Sequence, residues 1–333
     1  MPRMTALFLF AVALSAFAQT GPTLIGSTYT AHNSLIPTAQ VVVAPGQIAT
    51  LQVTGLKTAL SQPVIASQFP LPTVLGGFSV TIYQVGKFSG SISLAVPLLS
   101  VAQSYTCYPI TLDCTITSIT VEIPMETMPF LFFENGPSSQ LVISENGVDS
   151  QPFDIAPLPA NTHVLTGCGS FPQVACVTHA DGSLVTATSP AQPSETVVID
   201  AHGLGQTDPP VTAGAATPTP APKAANYIYA TFNFSPNAGP RYPSLDPTQV
   251  SLNTPVFAGL TPGEIGLYQL NVKLPDTFPS VPACTGLSPL YSAVQSNLTI
   301  EITTYLNLYG SVSDAAAPPY DAAPICVQPP ATH

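Results

Sequence analysis

Two imidazoles and two sulfurs crowd the stretch from His163 to His179, where His163, Cys168, Cys176 and His179 have the ligand types of a tetrahedral zinc site. The spacing His-x4-Cys-x7-Cys-x2-His matches no standard finger. Oxidation of Cys168 and Cys176 to a disulfide would also remove both thiolates, so a bridge is expected there and no metal. Calcium finds no Asp-x-Asp-x-Asp-Gly loop among the scattered acids. A serine-hydrolase elbow, Gly-x-Ser-x-Gly, holds its nucleophile on a tight strand-to-helix turn, and the nearest text, Gly167-Cys-Gly-Ser170, does not have it. His179, Asp181 and Ser183 alternate along one hairpin and point along one face, which by itself makes no relay. A plain turn is expected, and no catalytic residue. Seventeen acidic residues can always supply a carboxyl pair for glycoside hydrolysis, so a carbohydrate-active hydrolase is only the enzyme alternative. Asp200 reads as an outward polar position.

The stronger candidate is aromatic. In Tyr227-Ile-Tyr-Ala-Thr-Phe-Asn-Phe234, strand alternation puts Ile228, Ala230, Phe232 and Phe234 on one face and Tyr227, Tyr229, Thr231 and Asn233 on the other. The Phe face is the natural core contact. The tyrosine face, amphipathic and rigid, suits stacking on a sugar or a protein ligand. Tyr227, Tyr229 and Asn233 are therefore the expected ligand-binding residues, and an edge strand covered by the neighbouring Pro-rich loop is the competing reading. No cofactor is expected.

The elements that must position these residues are strands. Of 333 residues, 38 are Pro and 22 are Gly, and only 7% are charged. So few Lys, Arg and Glu cannot cover helix surfaces, whereas abundant Val, Ile, Thr, Ser and Pro favour strands and turns. An all-β chain is expected. Its formal net charge of −11 offers no clustered basic footprint, which excludes nucleic acid. Arg3, the apolar run Leu7–Leu14 and Ala16-Phe-Ala18 read as a signal peptide over 1–18, cut before Gln19. The apolar run is shorter than a spanning helix requires, and no later segment qualifies. A secreted or cell-surface protein, periplasmic or extracellular, is expected. Six cysteines in an exported chain read as disulfides; the favoured pairs are Cys107 with Cys114, Cys168 with Cys176, and Cys284 with Cys326.

The chain repeats itself. Ala44-Pro-Gly-Gln-Ile-Ala-Thr-Leu-Gln-Val-Thr-Gly-Leu56 returns as Gln192-Pro-Ser-Glu-Thr-Val-Val-Ile-Asp-Ala-His-Gly-Leu204, Ile116–Pro124 as Leu267–Pro275, and Ser139–Ile143 as Ser296–Ile300. Alternation within these pieces, with Ile119, Val121 and Ile123 against Thr120 and Glu122, marks strands that bury one face. Asn146-Gly147 and Asp181-Gly182 are hairpin dipeptides. Two tandem immunoglobulin-like β-sandwiches related by an internal duplication are expected, over 19–158 and 159–330. Each would fold independently. The second carries a Pro-rich surface loop, 213–225, and an aromatic insert, 226–242, for which the first shows no sequence counterpart. With no Trp and no matching cysteine spacing, the immunoglobulin likeness is one of architecture.

Ala180-Asp-Gly-Ser-Leu184, Ser189-Pro-Ala-Gln-Pro193, Gly203-Leu-Gly205, Phe257-Ala-Gly-Leu-Thr-Pro-Gly263 and Gly266–Val272, in this order, resemble the Solibacter-type uncharacterised C-terminal domain of secreted acidobacterial proteins. The resemblance runs from about Ala44 to Val327 and is most specific from Asp181 to Pro275. It implies a secreted β-sandwich module with no assigned activity and no catalytic residues to carry over. Asn297-Leu-Thr299 has the form of an N-glycan acceptor, whose use the bacterial source implied by the resemblance argues against. A non-catalytic binding or structural module is the expected function, its partner a glycan or another extracellular protein. A cell-surface assembly subunit pairing by exposed strand edges is the third possibility.

Overall fold

The computed structural model describes residues 22–29, 32–36, 41–86, 90–105, 115–129, 138–168, 175–239, 252–285, 293–304 and 321–330. Residues 1–18, expected as a signal peptide, Cys107 and Cys114 with their expected bridge, and the end of the aromatic insert lie outside them. Every regular element within them is a strand, as the composition predicts. Among the described residues no helix is long and apolar enough to cross a membrane.

The N-terminal half contains β1 (Thr23–Tyr29), β2 (His32–Ile36), β3 (Val41–Val43), β4 (Ile48–Thr54), β5 (Val64–Ile65), β6 (Val74–Leu75), β7 (Phe78–Gly86), β8 (Gly90–Ala95), β9 (Leu98–Tyr105), β10 (Thr115–Glu122), β11 (Ser138–Glu145), β12 (Val148–Asp149) and β13 (Phe153–Pro157). The C-terminal half contains β14 (His163–Val164), β15 (Val177–Thr178), β16 (Thr196–His202), β17 (Thr207–Asp208), β18 (Lys223–Ala224), β19 (Ile228–Asn233), β20 (Phe257–Leu260), β21 (Tyr268–Lys273), β22 (Leu298–Thr304) and β23 (Asp321–Ile325). One sheet of the first half runs β2-β1-β4-β10-β9-β5, and the other runs β3-β13-β11-β7-β6 with β12 on β11 and β8 on β7. The second half has β14-β16-β21-β20-β18-β17, with β15 on β16, and β19-β22-β23. Among the described residues no sheet mixes strands of the two halves.

Alternation explains how each pair of sheets closes. Leu51, Val53, Ile119 and Val121 from one sheet meet Phe78, Val80, Ile82, Leu141 and Ile143 from the other in one buried cluster. Val197, Ile199, Leu270 and Val272 meet Ile228, Ala230, Leu298, Ile300 and Ile302 in a second. Both halves are therefore sandwich-like.

The two halves agree in register as well as in text. Leu51 stands opposite Ile119 and Ala49 opposite Val121, as Ile199 stands opposite Leu270 and Val197 opposite Val272. The central strand β11 lies between β13 and β7, and β22 lies between β23 and β19. Val43 of β3 pairs in parallel with β13, and Ala191 makes a parallel bridge to Val327 just past β23. β19 lies beside β22 as β7 lies beside β11, although the two strands share no sequence.

Turns carry the rest. Asn146 and Gly147 both have positive φ and join β11 to β12, as the Asn-Gly dipeptide predicts. At Asp181-Gly182 only Gly182 is positive, so this turn is of the kind that closes with a glycine bulge. In the repeated turns the Gln47 Oε1 accepts the Ala44 N–H at 2.8 Å, and Glu195 Oε2 accepts the Gln192 N–H at 2.7 Å. Gly46 and Ser194 take the same positive φ in these turns. Ser194 donates its hydroxyl to Asp276 Oδ1 at 2.6 Å, whereas a Cβ on Gly46 would lie 2.3 Å from Met125 Cε and 2.7 Å from the Tyr268 hydroxyl.

Candidate functional site

β19 places its side chains as alternation dictates. Ile228 and Ala230 are in the core, Phe232 and Phe234 pack against it, and Phe234 meets Phe278 at 5.4 Å between ring centroids. Tyr227 is 74% exposed just before the strand, and Tyr229 is half-buried. Asn233, expected on the same binding face, is 8% exposed. It sits opposite the fully buried Thr299 of β22, so it belongs to the packed end of the strand and not to an open surface. Thr231 donates to Glu301 Oε2 at 2.9 Å across the β19–β22 ladder. The Pro-rich loop ends in β18, whose ladder partners are β17 and β20, in the sheet facing β19 rather than beside it.

The zinc set does not assemble. Cys168 and Cys176 are joined in a disulfide, which leaves no thiolate at either sulfur. Cys284 and Cys326 form a second bridge, as their pairing by elimination predicts. His163 is buried in β14 opposite His202. His202 is also buried, donates from Nδ1 to the Gly266 carbonyl at 2.6 Å, and is held below the usual histidine range by its burial, against the pull of that bond. Among the described residues no three metal-ligating side chains come together.

His179 has a different partner from those its neighbours in sequence offered. Asp181 is occupied with its own turn, accepting the Ser183 N–H at 2.9 Å and hydroxyl at 2.7 Å. The His179 ring instead bridges Glu195 and Ser189: Nδ1 lies 2.5 Å from Glu195 Oε1, and Nε2 lies 3.2 Å from Ser189 Oγ. Hydroxyl, imidazole and carboxylate thus stand in the order of a nucleophilic relay. Two features work against such a relay. Nε2 also faces the Ser189 carbonyl oxygen at 3.1 Å, which favours a proton on the nitrogen that a general base needs bare. The main-chain donors flanking the hydroxyl are spent or missing as well, since the Ser189 N–H donates to Thr186 Oγ1 at 3.0 Å and residue 190 is proline. Partial burial opposes charge on His179, but the bond and charge of Glu195, with the Ser189 carbonyl, outweigh it and raise its pKa. The result is a histidine clasp that ties the 186–189 turn to the 192–195 turn. The sequence signal for it lies in the two similar stretches, where Glu195 stands at the position that the uncharged Gln47 holds in the earlier one.

A second polar constellation, invisible to sequence reasoning, lies between the halves. Glu122, at the end of β10 and 2% exposed, accepts the N–H of Gly214 from the Pro-rich loop at 2.5 Å, and the Gly214 carbonyl accepts the Leu71 N–H at 2.8 Å. The expected surface loop is thus exposed at Pro218 to Pro220 and buried at Gly214. Burial pushes the Glu122 carboxyl up to about 7, with nearby Glu126 adding to the effect and the Gly214 bond opposing it. Beside it Met125 leaves the first half and joins the second core, under the fully buried Tyr268. The Tyr268 hydroxyl donates to the Gly205 carbonyl at 2.5 Å. Its phenol is held far above its usual range by burial, then by Glu122. Gln206 Nε2 donates to the Met125 carbonyl at 3.1 Å, and Asn161 Nδ2 to Gln47 Oε1 at 3.2 Å. Among the described residues the halves share no ladder, but they share a core edge.

Asp200, on β16 opposite Gln269, is half-buried, and its pKa is raised first by burial and then by Glu264. Its repeat counterpart Gln52 accepts the Ser118 hydroxyl at 2.9 Å, so the two positions share a polar outward role. Asn297 is fully buried: Nδ2 donates to the Pro282 and Val327 carbonyls, each at 2.9 Å, and Oδ1 accepts the Val327 N–H at 2.7 Å. No protein-family model matches the chain, and no curated protein matches it in sequence.

Proposed function

We propose that this chain is an exported, non-catalytic binding module, built as an internal duplication of an immunoglobulin-like sandwich, that recognises a glycan through the aromatic surface of β19. The observation that carries the reading is Tyr227, 74% exposed beside a strand whose opposite face is anchored in the core. An aromatic ring on a rigid scaffold stacks on a ligand at little entropic cost. Two disulfides fit an oxidising compartment, and matching strand order and register in the two halves support the duplication. Membership of the Solibacter-type C-terminal domain family belongs to the same proposal and rests on the ordered turn motifs from Asp181 to Pro275. A glycan array probed with the oxidised protein, then with Tyr227→Ser and Tyr229→Ser, tests the reading. Loss of signal with unchanged melting is expected. Unchanged binding with a large loss of stability would make the tyrosines packing residues, and binding to proteins but not to glycans would move the ligand to the other class.

A further inference from the structure

We infer that the outer face of the sheet β8-β7-β11-β13 is a platform for a neutral polysaccharide chain lying flat across it, with Tyr83 as the stacking residue. Tyr83 stands directly opposite Ser93 on one side and Gln140 on the other, and Gln140 stands directly opposite Asp154. Residues directly opposite each other on adjacent strands share a face. Strands lie about 4.8 Å apart, so the four form one row of hydroxyl, phenol, amide and carboxylate. The neighbours Ile82, Leu141 and Ile155 point into the core, which fixes the row outward on a rigid base.

The row is open. Tyr83 is 43% exposed, and Val85, two positions along the same strand, is 56% exposed and widens the apolar area. Ser93 and Asp154 are exposed and Gln140 is half-buried. Gln140 Nε2 donates to Asp154 Oδ1 at 3.1 Å, which orients the amide and sets its oxygen and the second carboxylate oxygen as acceptors beside the phenol. Sugar hydroxyls supply donors to such acceptors, and the C–H face of a pyranose covers an aromatic ring.

Charge selects among occupants. The row holds one carboxylate and no cation; on the same face Thr81, Ala95 and Ser144 are uncharged, and the exposed Asp149, opposite Ser144, adds a second carboxylate. An anionic polymer is repelled by these carboxylates on a chain of formal charge −11. A second copy carries the same excess, and an added peptide strand engages a sheet edge rather than a face. A neutral polyhydroxyl chain matches the face in both charge and hydrogen bonding. This surface lies in the other half of the chain from Tyr227, and its assignment stands or falls without β19.

The test is retention of the full chain by phosphoric-acid-swollen cellulose, chitin and xylan, with polygalacturonate as the charged comparison. Retention by at least one neutral polymer and not by polygalacturonate is expected. Tyr83→Ser should weaken it at least tenfold, Tyr83→Phe less than about twofold, and Gln140→Ala severalfold, with melting unchanged in the first because the ring is exposed. Tyr227→Ser should leave this retention as it is. No retention by any of the three neutral polymers overturns the proposal. So does retention that survives both Tyr83→Ser and Gln140→Ala. Retention lost with Tyr227→Ser alone overturns it in favour of β19. A change of oligomeric state in Tyr83→Ser without a change in retention overturns it in favour of self-association.

Discussion

Replacing Glu122 by Gln should stabilise this protein above neutral pH and leave it nearly unchanged in acid. The carboxyl is raised from 4.5 to about 7 by burial. A raised acid favours the protonated form in the fold, so its contribution is fully present below pH 4.5 and declines as pH rises through about 7. At about 1.4 kcal/mol per pH unit, the displacement costs about 3 kcal/mol once the group is ionised. The amide keeps an oxygen for the Gly214 N–H and cannot ionise, but its N–H2 group needs an acceptor, so a gain of about 2–3 kcal/mol at pH 8.5 is expected. That corresponds to a rise in melting temperature of roughly 4–12 °C. Calorimetry of both proteins from pH 4 to 8.5 measures it. The His179 clasp loses stability in the same direction as pH rises above the ordinary histidine value, but it is common to both proteins and cancels in the difference. Parallel pH profiles for parent and variant, or a variant less stable at pH 8.5, would refute the reasoning.

Three other outcomes follow from the same contacts. Met125→Ala removes an apolar side chain that the first half lends to the second core and should cost about 2–5 kcal/mol in urea unfolding; residues 159–330 expressed alone should melt below the whole chain, and equal melting would show that Met125 adds nothing. The Cys284–Cys326 bridge closes a separation of 42 residues and Cys168–Cys176 one of 8, so replacing the pairs by Ser should cost about 4 and about 2.5 kcal/mol by loop entropy; the reverse order would mean that loop closure does not govern them. A fluorophosphonate probe should leave Ser189 unlabelled from pH 6 to 9, as read by peptide mass spectrometry, and stoichiometric labelling abolished by His179→Ala would restore the relay.

The strands were legible because each needs only alternate apolar residues. Ile119, Val121 and Ile123 are apolar in the sequence and buried in the fold for the same reason. The repeated turns were legible because Pro45-Gly46 and Pro193-Ser194 fix local geometry. What sequence could not yield were pairings between distant turns. Nothing near Glu122 in the chain announces Gly214, and His179 had a nearer acid, Asp181, that is already engaged by its own turn. Asn233, expected on an open face, is buried, because alternation specifies a face but not what covers it. Tyr83 escaped notice because its partners Ser93, Gln140 and Asp154 come from three other strands and acquire meaning only in register.

The burial of Asn297 sets an order of events for any host that attaches glycans to this chain. An oligosaccharyltransferase needs the side-chain amide nitrogen free, and in the finished fold that nitrogen is held by two carbonyls on a residue that is fully buried. Modification would have to precede closure of β22, and a sugar once attached would keep the Val327 segment from docking. In a eukaryotic expression system, glycan occupancy at Asn297 would therefore count the molecules that missed their native state, and the glycan-free fraction would be the one to purify.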